Sequence, residues 1–275
     1  MSDLAPTRAV SVTRVGPDGA RETKDLAATE EPLDIRLHGK SFAVIMRTPG
    51  QDRELAAGFL MSERVVRSGD EIGAVEHCRH PDQSRAHHVV DVYLRGDAAS
   101  RVPALLEQRR QLIANSSCGV CGRATIEELA AEVAPIGECP VVQIEVLRGL
   151  PEKLRETQAT FGETGGLHGA ALFTTAGDLI VSAEDVGRHN AVDKVFGSIL
   201  INDILNRPAV LVVSGRVAFE IVQKAWIGRV PIVAAVSAPT SLAIELAQEA
   251  GIALLGFVRG ASLNIYTHMA RIGGV

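Results

Sequence analysis

Ser116-Ser117-Cys118-Gly119-Val120-Cys121-Gly122 carries the residue types and spacing best suited to chemistry in this 275-residue chain. Two thiols two residues apart can share a ligand, form a disulfide or cooperate in passing sulfur. Gly119 and Gly122 let the backbone turn and leave no bulk beside either sulfur. A thiolate is the reactive form of cysteine, and a CxxC pair commonly lowers one thiol's pKa. The run reads as sulfur chemistry rather than packing.

Three other uses of the pair compete. Structural zinc wants four ligands, usually as two such pairs. The remaining cysteines, Cys78 and Cys139, form no second CxxC, and His77, Cys78 and His80 are a loose cluster beside Arg79, Pro81 and Asp82. A permanent disulfide suits an oxidising compartment, and Met1-Ser2-Asp3-Leu4-Ala5-Pro6 has no apolar signal core. A thioredoxin-type dithiol opens a helix directly after a strand. Here the expected N-cap is Thr125, with Glu128 completing a capping box, so Cys121 lies four residues before the cap. The helix dipole fades within its first turn, and Arg123 is a closer positive charge. The pair therefore reads as a mobile arm.

The elements around the arm differ between the two halves of the chain. Residues 1–115 form an α+β part of short strands and polar turns. It has a hairpin turning at His38-Gly39-Lys40, a helix from Glu54 to Ser62, a strand from Val89 to Leu94 and a helix from Val102 to Ile113. Residues 116–140 hold the cysteine loop and a connecting helix. Residues 141–275 read as an α/β domain opening with a strand from Val141 to Leu147. A hairpin follows around Ala176-Gly177-Asp178, then a helix burying Val192, Val195, Phe196, Ile199 and Leu200. Strands 209–213, 232–236 and 252–257 alternate with helices, as right-handed crossovers in a parallel sheet require. A last strand covers about Leu263 to Thr267. Apolar residues make up 46% of the chain, enough for a sizeable core. A net charge of −5 argues against nucleic acid as a partner. No apolar run approaches the ~20 residues of a membrane span, so a cytoplasmic, soluble protein is expected.

A second site follows from the topology. The three strands end in Ser214-Gly215-Arg216, Ser237-Ala238-Pro239-Thr240-Ser241 and Arg259-Gly260-Ala261-Ser262. Ligands of open α/β sheets bind beyond the carboxyl ends of the strands. Two of these loops enter helix N-termini, which favour anions, and Arg216 and Arg259 add forked phosphate donors. A phosphate-bearing ligand such as a nucleotide fits this edge. Each loop alone also reads as ordinary turn residues. His189 and Asp193, at i and i+4, can face each other as a structural pair or an acid–base couple. Thr164-Gly165-Gly166-Leu167-His168 supplies backbone freedom near the sheet.

Taken in order, these segments resemble a known family. The cysteine run, Thr164–His168, Glu184-Asp185-Val186-Gly187-Arg188-His189-Asn190-Ala191-Val192-Asp193-Lys194, Ser214–Arg216, Phe257–Gly260 and Asn264-Ile265-Tyr266-Thr267 are similar to the signatures of the formate dehydrogenase accessory sulfurtransferases, the FdhD family. The likeness spans all but the first ~30 residues, and an ordered set of motifs is far more specific than one CxxC. It implies a cytidine deaminase-like α/β fold, a mixed sheet flanked by helices with a smaller β-rich N-terminal part. It further implies a sulfurtransferase that takes persulfide sulfur from a cysteine desulfurase. That sulfur goes to the molybdenum of bis-molybdopterin guanine dinucleotide, bound as substrate and destined for formate dehydrogenase. Cys118 is then the persulfide carrier, with Cys121 resolving, stabilising or sharing the load. Phe257, Val258, Arg259, Gly260, Ala261 and Ser262 match the cofactor-binding segment. A homodimer is the expected assembly, with no metal of its own. The alternative is a chaperone that binds the cofactor without turning over sulfur. Deaminase chemistry is not implied, because it needs H-x-E and P-C-x-x-C. Ala170 stands two residues after His168, and no proline precedes Cys118.

The ligand count predicts that the purified protein carries no stoichiometric zinc. Elemental analysis measures this, and one tight zinc per chain that disappears in Cys118→Ala would make the loop a structural staple instead.

Overall fold

A computed structural model of the chain describes residues 5–78, 87–115, 126–202, 204 and 208–275. Cys118 and Cys121, the expected cap Thr125, Arg123 and His80 lie outside the described residues.

The N-terminal part opens with a hairpin, β1 (Thr7–Gly16) and β2 (Gly19–Ala28), paired only with each other. β3 (Glu31–Leu37) and β4 (Lys40–Arg47) then join β5 (Ile72–His77) and β6 (Val89–Leu94) in a four-stranded sheet ordered β4-β3-β6-β5. The β3–β4 turn falls at His38-Gly39, as the sequence predicts, and both residues take positive φ. Helix α1 (Asp52–Ser62) covers one face of this sheet with Leu55 and Leu60 fully buried. β1, β2 and β5 carry too few alternating apolar residues to stand out in the sequence. α2 (Gly96–Asn115) and α3 (Ile126–Glu132) bracket the cysteine segment.

The C-terminal part is built on a six-stranded mixed sheet of β8 (His168–Phe173), β9 (Leu179–Asp185), β10 (Val210–Val213), β11 (Ile232–Ala235), β12 (Ala253–Arg259) and β13 (Ser262–Ile265), ordered β13-β12-β11-β10-β8-β9. β10, β11 and β12 are parallel, as their alternation with helices requires. β8, β9 and β13 run antiparallel to their neighbours, so the sheet is mixed. α6 (Arg188–Ile201), α7 (Phe219–Ile227) and α8 (Ser241–Ala250) pack on one face, sharing a core with α1 and the small sheet. On α8 the Thr240 side chain accepts from the Ala243 amide, an N-cap bond.

The opposite face corrects one expectation. Residues 141–147 are not a strand: β7 (Val142–Gln143) pairs for two residues with β14 (Ile272–Gly273), and α4 (Ile144–Thr157) begins at once. Val142, Ile144 and Leu147 looked strand-like, yet Ile144, Leu147, Leu150 and Leu154 follow a helical spacing and are buried against the sheet. A short helix, α5 (Ala159–Thr164), follows. Among the described residues, no helix is long and apolar enough to cross a membrane.

Helices α1 and α6 approach until their backbones touch. A methyl group at Gly58 would overlap the Asp193 carbonyl, and one at Gly197 would overlap that of Glu54. Glycine in a helix interior costs about 1 kcal/mol relative to alanine. Overpacking costs about 1–3 kcal/mol or more, and backbone atoms cannot rotate out of the way. The clash should win: Gly197→Ala is expected to lose about 1–2 kcal/mol net, read as a lower urea midpoint at unchanged m-value. A raised midpoint would show that the helices can separate freely.

Candidate functional site

The carboxyl ends of the parallel strands open into a cleft of about 920 Å³. Ser214 after β10, Val236 after β11, and Val258, Arg259 and Gly260 at the end of β12 all line it. The three strand ends converge on one edge, as the topology predicts, although none of Ser237, Ala238, Pro239, Thr240 and Ser241 in the second expected loop lines the cleft. Of the six residues 257–262, Phe257, Ala261 and Ser262 lie outside the lining, and so does the exposed Arg216. Phe257 takes a positive φ of 53° and donates its amide to the Ser237 carbonyl. Its ring lies 5.8 Å from the Arg259 guanidinium. Arg259 Nε donates to the Val236 carbonyl at 3.0 Å. The arginine is therefore anchored through Nε, which leaves its outer fork for a ligand.

The cleft's second wall was missed in the sequence because α4 read as a strand. Arg148, Pro151, Glu152 and Arg155 present one helical stripe to the cleft, and Phe161 of α5 joins them. The Arg155 guanidinium sits 4.5 Å from the centre of the Phe161 ring, a cation–π contact. α5 is seated by Glu184, whose carboxylate accepts from the amides of Phe161 at 2.7 Å and Thr160 at 3.0 Å. A carboxylate at a helix start stabilises its unsatisfied N–H groups. Glu184 thus positions Phe161, and through it Arg155.

Gly165, Gly166, Leu167 and His168 form the rim between the walls. The Gly169 amide donates to Ser214 Oγ at 2.9 Å, and the Ser214 amide returns a bond to the Gly169 carbonyl. These bonds hold the rim against β10. Gly215 leaves room for the imidazole: a Cβ there would stand 3.2 Å from His168 Nδ1. Burial lowers the His168 pKa from the ordinary 6.5, Arg188 lowers it further, and Asp185 opposes both.

The acidic motif after β9 serves the frame of the site. Buried Lys194 pairs with buried Asp185 at 2.8 Å and donates to the carbonyls of Thr48 and Glu184, each at 3.0 Å. Asp185 also accepts from the amides of Thr48 and Gly187 and from Asn190 Nδ2. His189 and Asp193 do not form the pair their spacing suggests. Asp193 accepts from Lys224 Nζ and Ser62 Oγ, each at 2.6 Å, while His189 Nε2 lies 4.0 Å from Glu220. Burial raises the Asp193 pKa, opposed by Lys224 and Ser62. Asp193 is therefore part of a buried structural network. Among the described residues, no group of three or more His, Cys, Asp or Glu side chains is arranged to hold a metal. Cys139 accepts a contact from Arg271 Nη1, and neither residue lines the cleft.

Fold and cleft together define a mixed α/β protein with a candidate anion-binding edge beyond its parallel strands. The chain belongs to the FdhD/NarQ family, whose model matches residues 28–273. It is 46% identical over 262 residues to the sulfur carrier protein FdhD of Streptomyces coelicolor, covering 93% of this chain and 92% of the relative. The sulfur carrier protein FdhD of Saccharolobus solfataricus is 45% identical over 267 residues, 95% and 96% of the two chains. The crystal structure of a proposed formate dehydrogenase accessory protein from Desulfotalea psychrophila superposes with a TM-score of 0.76 at 25% identity, covering 98% of this chain and 100% of that one.

The lowered His168 pKa fixes the sign of a pH effect. The unfolded chain binds this proton at a higher pH than the folded one, so stability is present above about 6.5 and is lost as pH falls below it. His77, whose pKa burial also lowers, adds in the same direction. NMR titration should give His168 a midpoint below 6.5, and His168→Gln should flatten part of the acid-side loss of stability. A midpoint above the ordinary value would mean that the imidazole is not held neutral by its burial.

Proposed function

We propose that the protein is a sulfur carrier and sulfurtransferase that serves formate dehydrogenase. Cys118 takes sulfane sulfur from a cysteine desulfurase and delivers it to the molybdenum of bis-molybdopterin guanine dinucleotide, held as substrate in the cleft. The observation that carries this reading is the convergence of three strand ends on a cleft holding Arg259, in a chain whose family members are named sulfur carriers. A guanine dinucleotide brings phosphates, and the forked donors of Arg259 and Arg155 on the two walls suit them. Loading requires the Cys118 thiolate to attack the terminal sulfur of the donor persulfide. One S–S bond forms as the donor's breaks, and the donor leaves as a thiolate. Cys121, three residues on, can resolve or share the persulfide. Two copies of the chain working as a homodimer belong to the same proposal.

Incubation with a cysteine desulfurase and cysteine, followed by mass spectrometry, tests the carrier. Sulfur atoms should be gained on Cys118 or Cys121. Cys118→Ala should abolish activation of formate dehydrogenase while leaving the thermal unfolding midpoint unchanged. Normal activation by that variant would remove Cys118 from the transfer. Cofactor binding without any sulfur gain would favour a chaperone.

A further inference from the structure

The stripe that α4 turns to the cleft has a charge pattern of its own. Arg148, Glu152 and Arg155 stand at i, i+4 and i+7, on one helical face, and all three line the cleft. Leu147 and Leu150 bury the other side of the helix against the sheet, which fixes the direction of the stripe. The two arginines are prepared for anions. The Arg155 guanidinium sits over the Phe161 ring, while Arg148 Nε is buried without a hydrogen bond among the described residues and its Nη1 lies 3.5 Å from Glu145 Oε1. Glu152 stands between them, exposed, and makes no ion pair or hydrogen bond among the described residues.

A carboxylate in the middle of an anion-binding wall needs a use, because it weakens phosphate binding on its own. An ionised carboxylate is an acceptor only, with two oxygens side by side. Its complement is a planar edge that presents two adjacent N–H donors. Guanine has that edge in its ring N1–H and exocyclic amine. Adenine has a ring acceptor at the corresponding place. We propose that Glu152 is a specificity-determining residue that accepts both guanine donors, while Arg155 holds the phosphates beside it and Arg259 holds them from the facing wall. This inference rests on reading the cleft as a guanine-nucleotide site. Leu154 and Val258 share one core and both line the cleft, and Arg155 and Arg259 directly follow them. The two walls therefore share one buried core, and each carries an arginine next to a residue of it. A volume of about 920 Å³ is near the upper end for small-molecule sites, enough for base, ribose and phosphates together.

Calorimetry of the full chain with GDP, IDP and ADP tests the assignment. The wild type should bind GDP more tightly than IDP, which lacks the exocyclic amine, and IDP more tightly than ADP. Glu152→Ala and Glu152→Gln should each weaken GDP by about ten- to a hundredfold, the loss expected for charged hydrogen bonds. ADP affinity should be essentially unchanged, so discrimination collapses. Arg155→Ala should weaken GDP and ADP alike. Unchanged GDP affinity in both Glu152 variants, with affinity lost in Arg259→Ala, would overturn the role of Glu152 and leave the nucleotide site standing. No GDP binding by the wild type would overturn the site and the role together.

Discussion

One buried ammonium ties the two halves of the molecule together. Lys194 on α6 satisfies its three donors with the Asp185 carboxylate, the Glu184 carbonyl and the Thr48 carbonyl. Two of those partners end β9 of the large sheet, and the third lies just after β4 of the small one. Taking such charges out of water is expensive, and removing one partner leaves the other unpaired, at a cost of about 3–5 kcal/mol. The arrangement is tolerated because every lone pair and proton has an assigned place, including the Asn190 amide that bridges Asp185 to the Met46 carbonyl. Arg47, next to Thr48, is likewise buried and paired with Asp52. The junction of the halves therefore carries, beside its apolar core, a polar contact that is specific in geometry.

The cleft inherits its shape from this junction. Glu184 and Asp185 are neighbours with divided tasks. The first seats α5 through its carboxylate, and the second locks α6 and the Thr48 segment. Because Phe161 lies on α5 and Arg155 sits over its ring, the wall of the cleft that carries Arg155 is referenced to the same two residues that hold the halves together. His168 stands opposite Asp185 in the β8–β9 register, so the rim is tied in as well. A motif that looks catalytic by composition is here the frame from which the site is hung.

What the sequence made legible follows from the range of the interactions involved. Alternation of helices and strands after residue 209 is local, and β10 to β12 with their loops fall where the pattern puts them. The convergence of Ser214 and Arg259 was equally readable, since parallel strands place their carboxyl ends together, but from the second strand it is Val236, not the loop 237–241, that reaches the cleft. The partners of Asp193 were not. Lys224 and Ser62 are distant in sequence and meet it only through the packing of α1, α6 and α7, whereas His189 was near and offered a false partner. α4 was hidden for a different reason. Val141-Val142-Gln143-Ile144 does pair for two residues, so strand chemistry and the first turn of a helix overlap there, and Pro151 blurs the helical period beyond it.

The pairing of β7 with β14 ties the two ends of the C-terminal part together. Ile272 and Gly273 pair with Val142 and Gln143, and Ile272 joins Val142, Ile144 and Leu147 in one core. The helix that forms one wall of the cleft is thus pinned at its start by residues some 130 positions later in the chain, an interval read from the register Ile272↔Val142. In chain order, β8, β9 and α6 all precede the strand that completes this clamp. Loss of the last few residues would therefore unpin the start of α4, the helix that lines one wall of the cleft, although none of those residues lines it.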